Sequence, residues 1–232
     1  MEFSGFSEET TRFFYDLKEN NNKAWFERNR SIFDEYVLPE AQHFVQDIGK
    51  KFHEEISENI EAVPRIDKSI FRLHRDVRFS KNKDPYKTHL GIYLWEGKAK
   101  KIENPGFYFQ LNRSEIFYGV GLHIFSRTAL QQWRKAVIDD KLGKELENIS
   151  SEILKKNDNY RLMDKHYKKV PPGFDVTLQR ADWLLYNGIA FSYSKKLDGT
   201  VHKPTFLDFS FKIFRDMSPI HSWLLKMLKI NI

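Results

Sequence analysis

The 232 residues are 41% hydrophobic and 15% aromatic, with phenylalanine alone at 20 residues, which supplies a buried core and excludes a largely disordered chain. There is no cysteine, so disulfide scaffolds, thiolate metal sites and cysteine nucleophiles are excluded. The formal net charge is +6, and the surplus gathers between residues 65 and 89: Arg65, Lys68, Arg72, Arg75, Arg78, Lys81, Lys83 and Lys87 face only Asp67, Asp76 and Asp84. A local surplus of this kind points to an anionic partner, although a solvated basic rim would read the same way.

No run approaches the roughly 18 apolar residues of a membrane span, so no membrane partner is expected. The opening Met1-Glu2-Phe3-Ser4-Gly5-Phe6 has neither the basic start nor the apolar stretch of a signal peptide, and a cytoplasmic location is expected. With no repeat and no long linker, the expectation is one domain over residues 1–232.

Ser7-Glu8-Glu9-Thr10 ahead of Phe13, Phe14 and Leu17 predicts a capped helix, ended by Asn20-Asn21-Asn22, which also caps the next. Apolar residues from Trp25 to Phe52 recur near a 3.6 period, with Pro39 set to kink or restart the helix. The period then changes to 2. Ile70–Phe79 predicts a strand with Phe71, Leu73, Arg75, Val77 and Phe79 on the apolar face and Ile70, Arg72, His74, Asp76 and Arg78 on the other. His89–Trp95 predicts a second strand, and Phe107–Asn112 with Ile116–Phe125 a hairpin about Asn112-Arg113-Ser114-Glu115. Helix returns over 127–156, followed by a Pro171-Pro172-Gly173 turn and a short helix over Gln179–Tyr186. Ile189–Lys196 and Thr205–Phe214 predict strands, and Ser218-Pro219 opens a final helix. The sum is an α+β fold, a mainly antiparallel sheet packed by N-terminal, central and C-terminal helices.

The chemistry sits in Arg72–His89. A carboxylate at Asp76 between Arg72 and Arg78 can hold two guanidinium forks in place and leave donors for an anion. Asn82-Lys83-Asp84-Pro85-Tyr86 is turn chemistry that brings Lys83, Tyr86 and Lys87 back over the arginines. Arg75, turned to the apolar face, needs a carboxylate partner and is assigned a structural ion pair. Gly91, Gly106, Gly119 and Gly121 fall near one sheet face, where missing side chains leave either a recess for a ligand or room for another backbone or helix. His89, Tyr93, Tyr108, Gln110 and His123 would line it, with His89 and His123 as acid–base candidates. No ligand spacing singles out a metal site, and neither a phosphate-binding glycine loop nor a dinucleotide fingerprint is present, so no cofactor is assigned.

Three segments together resemble a known family: Phe3-x-Gly5-Phe6, Asn20-Asn21-x-x-x-Trp25-Phe26, and the long Arg72-x-x-Arg75-Asp76-x-Arg78-Phe79-x-x-Asn82-Lys83-x-x-Tyr86, with Pro172-Gly173-Phe174 further on. The chain is similar to the bacterial domain of unknown function 2461 family over most of its length. The resemblance implies that Arg72, Arg75, Asp76, Arg78, Asn82, Lys83 and Tyr86 belong to the family signature and brings no activity with it. The expected partner is a phosphate-bearing small molecule, bound or turned over at the basic face. A nucleic-acid-binding module with aromatic stacking, or a non-catalytic protein whose Arg/Asp motif is an internal ion-pair network, are the alternatives.

Overall fold

The computed structural model describes residues 2–177 and 179–231. Ser7 opens helix α1 (Glu8–Glu19) by accepting a hydrogen bond from the Thr10 amide at 3.1 Å. Asn22 does the same for α2 (Lys23–Ile32) with the Trp25 amide at 3.0 Å. Each cap fills a donor that a helix start leaves empty. A π-helical turn, Phe33–Val37, then runs into α3 (Leu38–Glu55). Pro39 is the second residue of α3, and the wider turn ahead of it accommodates the amide hydrogen that proline lacks.

Strands β1 (His89–Trp95), β2 (Gly106–Asn112), β3 (Glu115–Leu122), β4 (Tyr160–Leu162) and β5 (Ile189–Lys196) form an antiparallel sheet in the order β1-β2-β3-β5-β4. β1, the β2–β3 hairpin and β5 lie where the alternation predicts them. The hairpin turn is set by Asn112, whose side-chain oxygen accepts from the amides of Ser114 (2.8 Å) and Glu115 (2.9 Å). β4 is only three residues long, too short to show a period; its Tyr160 pairs with Tyr193 of β5.

Several predicted elements differ. Ile70–Phe79 forms no strand, only isolated bridges at Ile70 and His74. The helical stretch over 127–156 is two helices, α4 (Arg127–Ile138) and α5 (Asp140–Leu154), because Asp139 leaves the helical conformation and caps the second. The Arg180 guanidinium supports this break by donating to the Val137 carbonyl at 2.9 Å. Thr205–Phe214 is helical, within α6 (Phe206–Met227), and Ser218-Pro219 lies inside that helix rather than at its start. Pro219 cannot donate to the carbonyl of Arg215, one turn back; the Ser218 hydroxyl donates to it instead, at 2.9 Å.

The chain forms two compact units. One comprises Met1–Leu94, Tyr108–Tyr118 and Ser194–Ile213; the other comprises Trp95–Phe107, Gly119–Tyr193 and Phe214–Ile232. The first is centred on Phe6, whose ring meets Phe44 (5.5 Å), Phe109 (5.8 Å) and Phe206 (6.0 Å). Its buried Ser210 is satisfied by the Tyr118 hydroxyl at 2.8 Å. In the second, Trp133 packs edge-on against Trp223 (5.7 Å), and the two indoles donate to the carbonyls of Trp183 and Leu142, each at 2.9 Å. Trp25 is half-buried beside Phe13 in the first unit. Among the described residues no helix is long and apolar enough to cross a membrane.

Candidate functional site: a self-bonded basic loop

Residues 69–75 run antiparallel to 85–93 without forming a regular ladder. The Phe71 amide donates to Gly91 (2.9 Å), Tyr93 to Ser69 (2.8 Å), Lys87 to Leu73 (2.8 Å) and Arg75 to Pro85 (2.8 Å). The segment thereby covers the outer edge of β1, which would otherwise present unpaired backbone groups. Beyond Arg75 the alternation stops and the chain turns, with Ser80 N–H reaching the Val77 carbonyl at 3.3 Å.

The tip of this loop is held by its own side chains. Asp76 accepts from Arg78 through Nε (3.0 Å), Nη2 (2.7 Å) and the backbone amide (3.2 Å). The guanidinium holds the Asp76 carboxyl below its usual range. Asn82 accepts from the Asp84 amide (2.7 Å) and donates to its carboxylate (2.9 Å), and the Lys83 ammonium donates to the Val77 carbonyl (3.0 Å). Arg75 donates to the Asp84 carbonyl at 3.1 Å and to the Ser80 hydroxyl at 3.4 Å. The carboxylate partner expected for it is absent among the described residues. Arg75 is half-buried, and a carbonyl and a hydroxyl serve it, so the structural ion pair becomes a loop brace.

Tyr86 is not a ligand-facing residue. It is 2% exposed, with its ring stacked on Phe26 at 4.5 Å and beside His74 at 4.7 Å. Its backbone is clasped by Asn21, which accepts from the Tyr86 amide (3.1 Å) and donates to its carbonyl (2.9 Å). The expectation failed because Tyr86 pairs with His74 in an inward register before β1 begins. Lys87 is half-buried with its ammonium 4.9 Å from the Phe71 ring; desolvation, then Arg72 nearby, lowers its pKa.

The glycine recess is filled. A side chain at Gly91 would meet the Phe71 ring at 3.2 Å and the Tyr108 hydroxyl at 3.4 Å. Gly121, with φ +149°, admits the backbone of β5 at Ile189. Tyr108 donates to Gln110 at 2.9 Å and burial pushes its phenol up to about 12. His89 is pushed down to about 4 by burial and by Lys87, so it is neutral at physiological pH. It lies against Phe14, Phe33 and Leu73 around a cavity of about 10 Å³, which no substrate enters. His123 is exposed just after β3 and belongs to the other compact unit. The two acid–base candidates named from the sequence therefore belong to different units. Among the described residues no cluster of three or more histidines and carboxylates gathers to hold a metal.

What remains outward at the loop is Arg72, Lys81, two hydrogens of the Lys83 ammonium, and Phe79. Neither Arg72 nor Lys81 makes a salt bridge or hydrogen bond among the described residues. Phe79, expected on the core face, is 96% exposed, with the Arg78 guanidinium 5.8 Å from its ring centre.

A separate cleft of about 420 Å³ in the first unit escaped sequence reasoning. Glu8, Glu9, Arg12 and Tyr15 from α1 line it with Arg113 and His202. Arg113 pairs with Glu19 at 2.5 Å and lies 5.2 Å over Tyr15; His202 donates from Nδ1 to the Phe6 carbonyl at 2.7 Å. These residues come from a helix face, a hairpin turn and a short connection, so no local pattern unites them. Its two arginines are each paired, Arg12 with Asp16 at 3.8 Å and Arg113 with Glu19, unlike Arg72 and Lys81 of the loop.

Fold and site define an α+β protein that carries a preformed basic loop on the edge of an antiparallel sheet. The chain belongs to the family described as conserved hypothetical protein (DUF2461), which matches residues 9–223. The long central motif that carried the resemblance is this loop. No curated protein matches the chain.

Proposed function

We propose that this protein binds a phosphate-rich polyanion through the loop Arg72–Lys87. The observation that carries the reading is the pair of outward cations, Arg72 and Lys81, that make no salt bridge among the described residues, within a stretch, residues 65–89, of eight basic and three acidic side chains. Arg75, Asp76, Arg78, Asn82 and Lys83 spend their hydrogen bonds on the loop's shape, so that shape is set before any partner arrives. A protruding loop contributes little to a core, and such loops are where binding residues concentrate.

An extended polyanion fits this surface better than a small phosphorylated compound. The recess over Gly91 is occupied by Phe71, and the cavity beside His89 is too small for a ligand. Binding of inorganic polyphosphate, followed by fluorescence competition, should weaken steeply as KCl rises from about 50 to about 200 mM. The Arg72→Ala/Lys81→Ala double variant should bind more weakly with a shallower salt dependence. A flat salt response, or a double variant indistinguishable from the parent, would overturn the reading.

A further inference from the structure

We infer that the polyanion is a single-stranded nucleic acid and that Phe79 is the platform on which one unpaired base stacks; this rests on the loop being the polyanion site. The starting point is an outlier. A phenylalanine 96% exposed is out of place for packing, and among the described residues its ring meets only the Arg78 guanidinium. The loop's self-bonding fixes the turn on which Phe79 stands, between Arg78, which is chelated by Asp76, and Ser80, which Arg75 braces. One face of the ring has the Arg78 guanidinium at 5.8 Å, a cation–π arrangement that leaves a flat aromatic surface at the outer end of a cationic loop.

Cations alone would take any polyanion. An exposed ring among them adds a second requirement, a planar aromatic group within reach of a phosphate. Unpaired bases meet it, because each has a free π-face and a backbone phosphate nearby. Duplex bases are already stacked on one another and offer no face. An anionic membrane would meet the charge but not the geometry: stable interfacial anchoring takes a broad apolar face, and this loop offers one ring. The sequence tolerance of stacking further implies that base identity matters little.

The test uses the full chain and a fluorescein-labelled 12-nucleotide oligothymidine, measured by anisotropy beside a duplex of the same length. Vesicles of mixed phosphatidylserine and phosphatidylcholine form a third arm, read by co-sedimentation. The single strand is expected to bind more tightly than the duplex or the vesicles. Phe79→Ala should lose about 5- to 150-fold in affinity for the single strand, the range of one stacked base, with an unchanged salt slope. Phe79→Trp should retain binding, and its indole fluorescence should be quenched by the oligonucleotide. Circular dichroism should find both variants folded, since the side chain touches so little; a misfolded alanine variant would leave the tryptophan variant's quenching to decide. Equal affinities of Phe79→Ala and parent, absence of quenching, or preference for vesicles would each overturn the inference. Salt-dependent binding that ignores Phe79 would leave the broader polyanion reading standing, whereas no salt-dependent binding of any probe would remove both.

Discussion

Replacing Asn21 with alanine tests how the loop is anchored. Asn21 lies between α1 and α2, yet both ends of its side-chain amide are spent on one residue 65 positions away, the amide and carbonyl of Tyr86. Two hydrogen bonds at about 0.5–1.5 kcal/mol each, in a partly buried setting, put the loss at about 2 kcal/mol. The stranded Tyr86 backbone groups keep the figure from falling lower, because water reaches them poorly. Asn21→Asp should be at least as damaging: it can still accept from the Tyr86 amide, but its second oxygen meets a carbonyl that can only accept. Urea denaturation followed by tryptophan fluorescence measures both, with the midpoint falling and the slope preserved. Hydrogen exchange should show the Tyr86 and Lys87 amides opening first. A loss below about 0.5 kcal/mol in Asn21→Ala would refute the clasp and leave the appearance of Asn21 in the family motif without this explanation.

Asp76→Asn should strengthen polyanion binding, since it frees the Arg78 fork and adds one unit of positive charge; anisotropy with the oligothymidine should also give a salt slope steeper by about 0.7. Weaker binding would instead make Asp76 the group that aims Arg78. His221 gives a pH prediction. It is 1% exposed, and burial holds its pKa near 4, below the ordinary 6.5. The unfolded chain therefore takes the proton first as pH falls, so this contribution to stability is full above about 6.5 and lost by about 4. A gap of that size corresponds to about 3 kcal/mol. His221→Phe should remove that portion of the acid sensitivity, seen as a smaller drop in urea midpoint between pH 7 and pH 4 (working values, about ±0.2); parallel losses in parent and variant would refute it.

Much of the fold was legible because one pattern dominated each segment. The caps at Ser7 and Asn22, and the alternation in β1, β2, β3 and β5, each point to a single local structure. Residues 206–214 obey two patterns at once. Phe209, Phe211 and Ile213 alternate as in a strand, while Phe206, Ser210, Ile213 and Met217 repeat as on a helix. The second wins because a buried tyrosine hydroxyl awaits Ser210. In the loop, alternation held from Phe71 to Arg75 and failed beyond it, while Ile70, placed outward, is buried. There, side chains bonding two residues along the chain replace cross-strand pairing, which periodicity does not register. Thus Arg72 was placed outward correctly, whereas Phe79 was counted into a core that does not extend so far.

The first unit draws Phe6 together with Phe109 and Phe206, and fastens the Phe6 carbonyl to His202, 196 residues downstream. During synthesis Phe6 must therefore wait for Phe206, and its carbonyl for His202, until the intervening chain has been made. Contacts between residues this far apart form only after the intervening chain is made, and such separations favour slow maturation. A premature stop between Phe109 and His202 strips Phe6 of Phe206 and of the His202 imidazole while Phe44 and Phe109 remain, and the natural fate of such a product is aggregation or proteolysis rather than partial function.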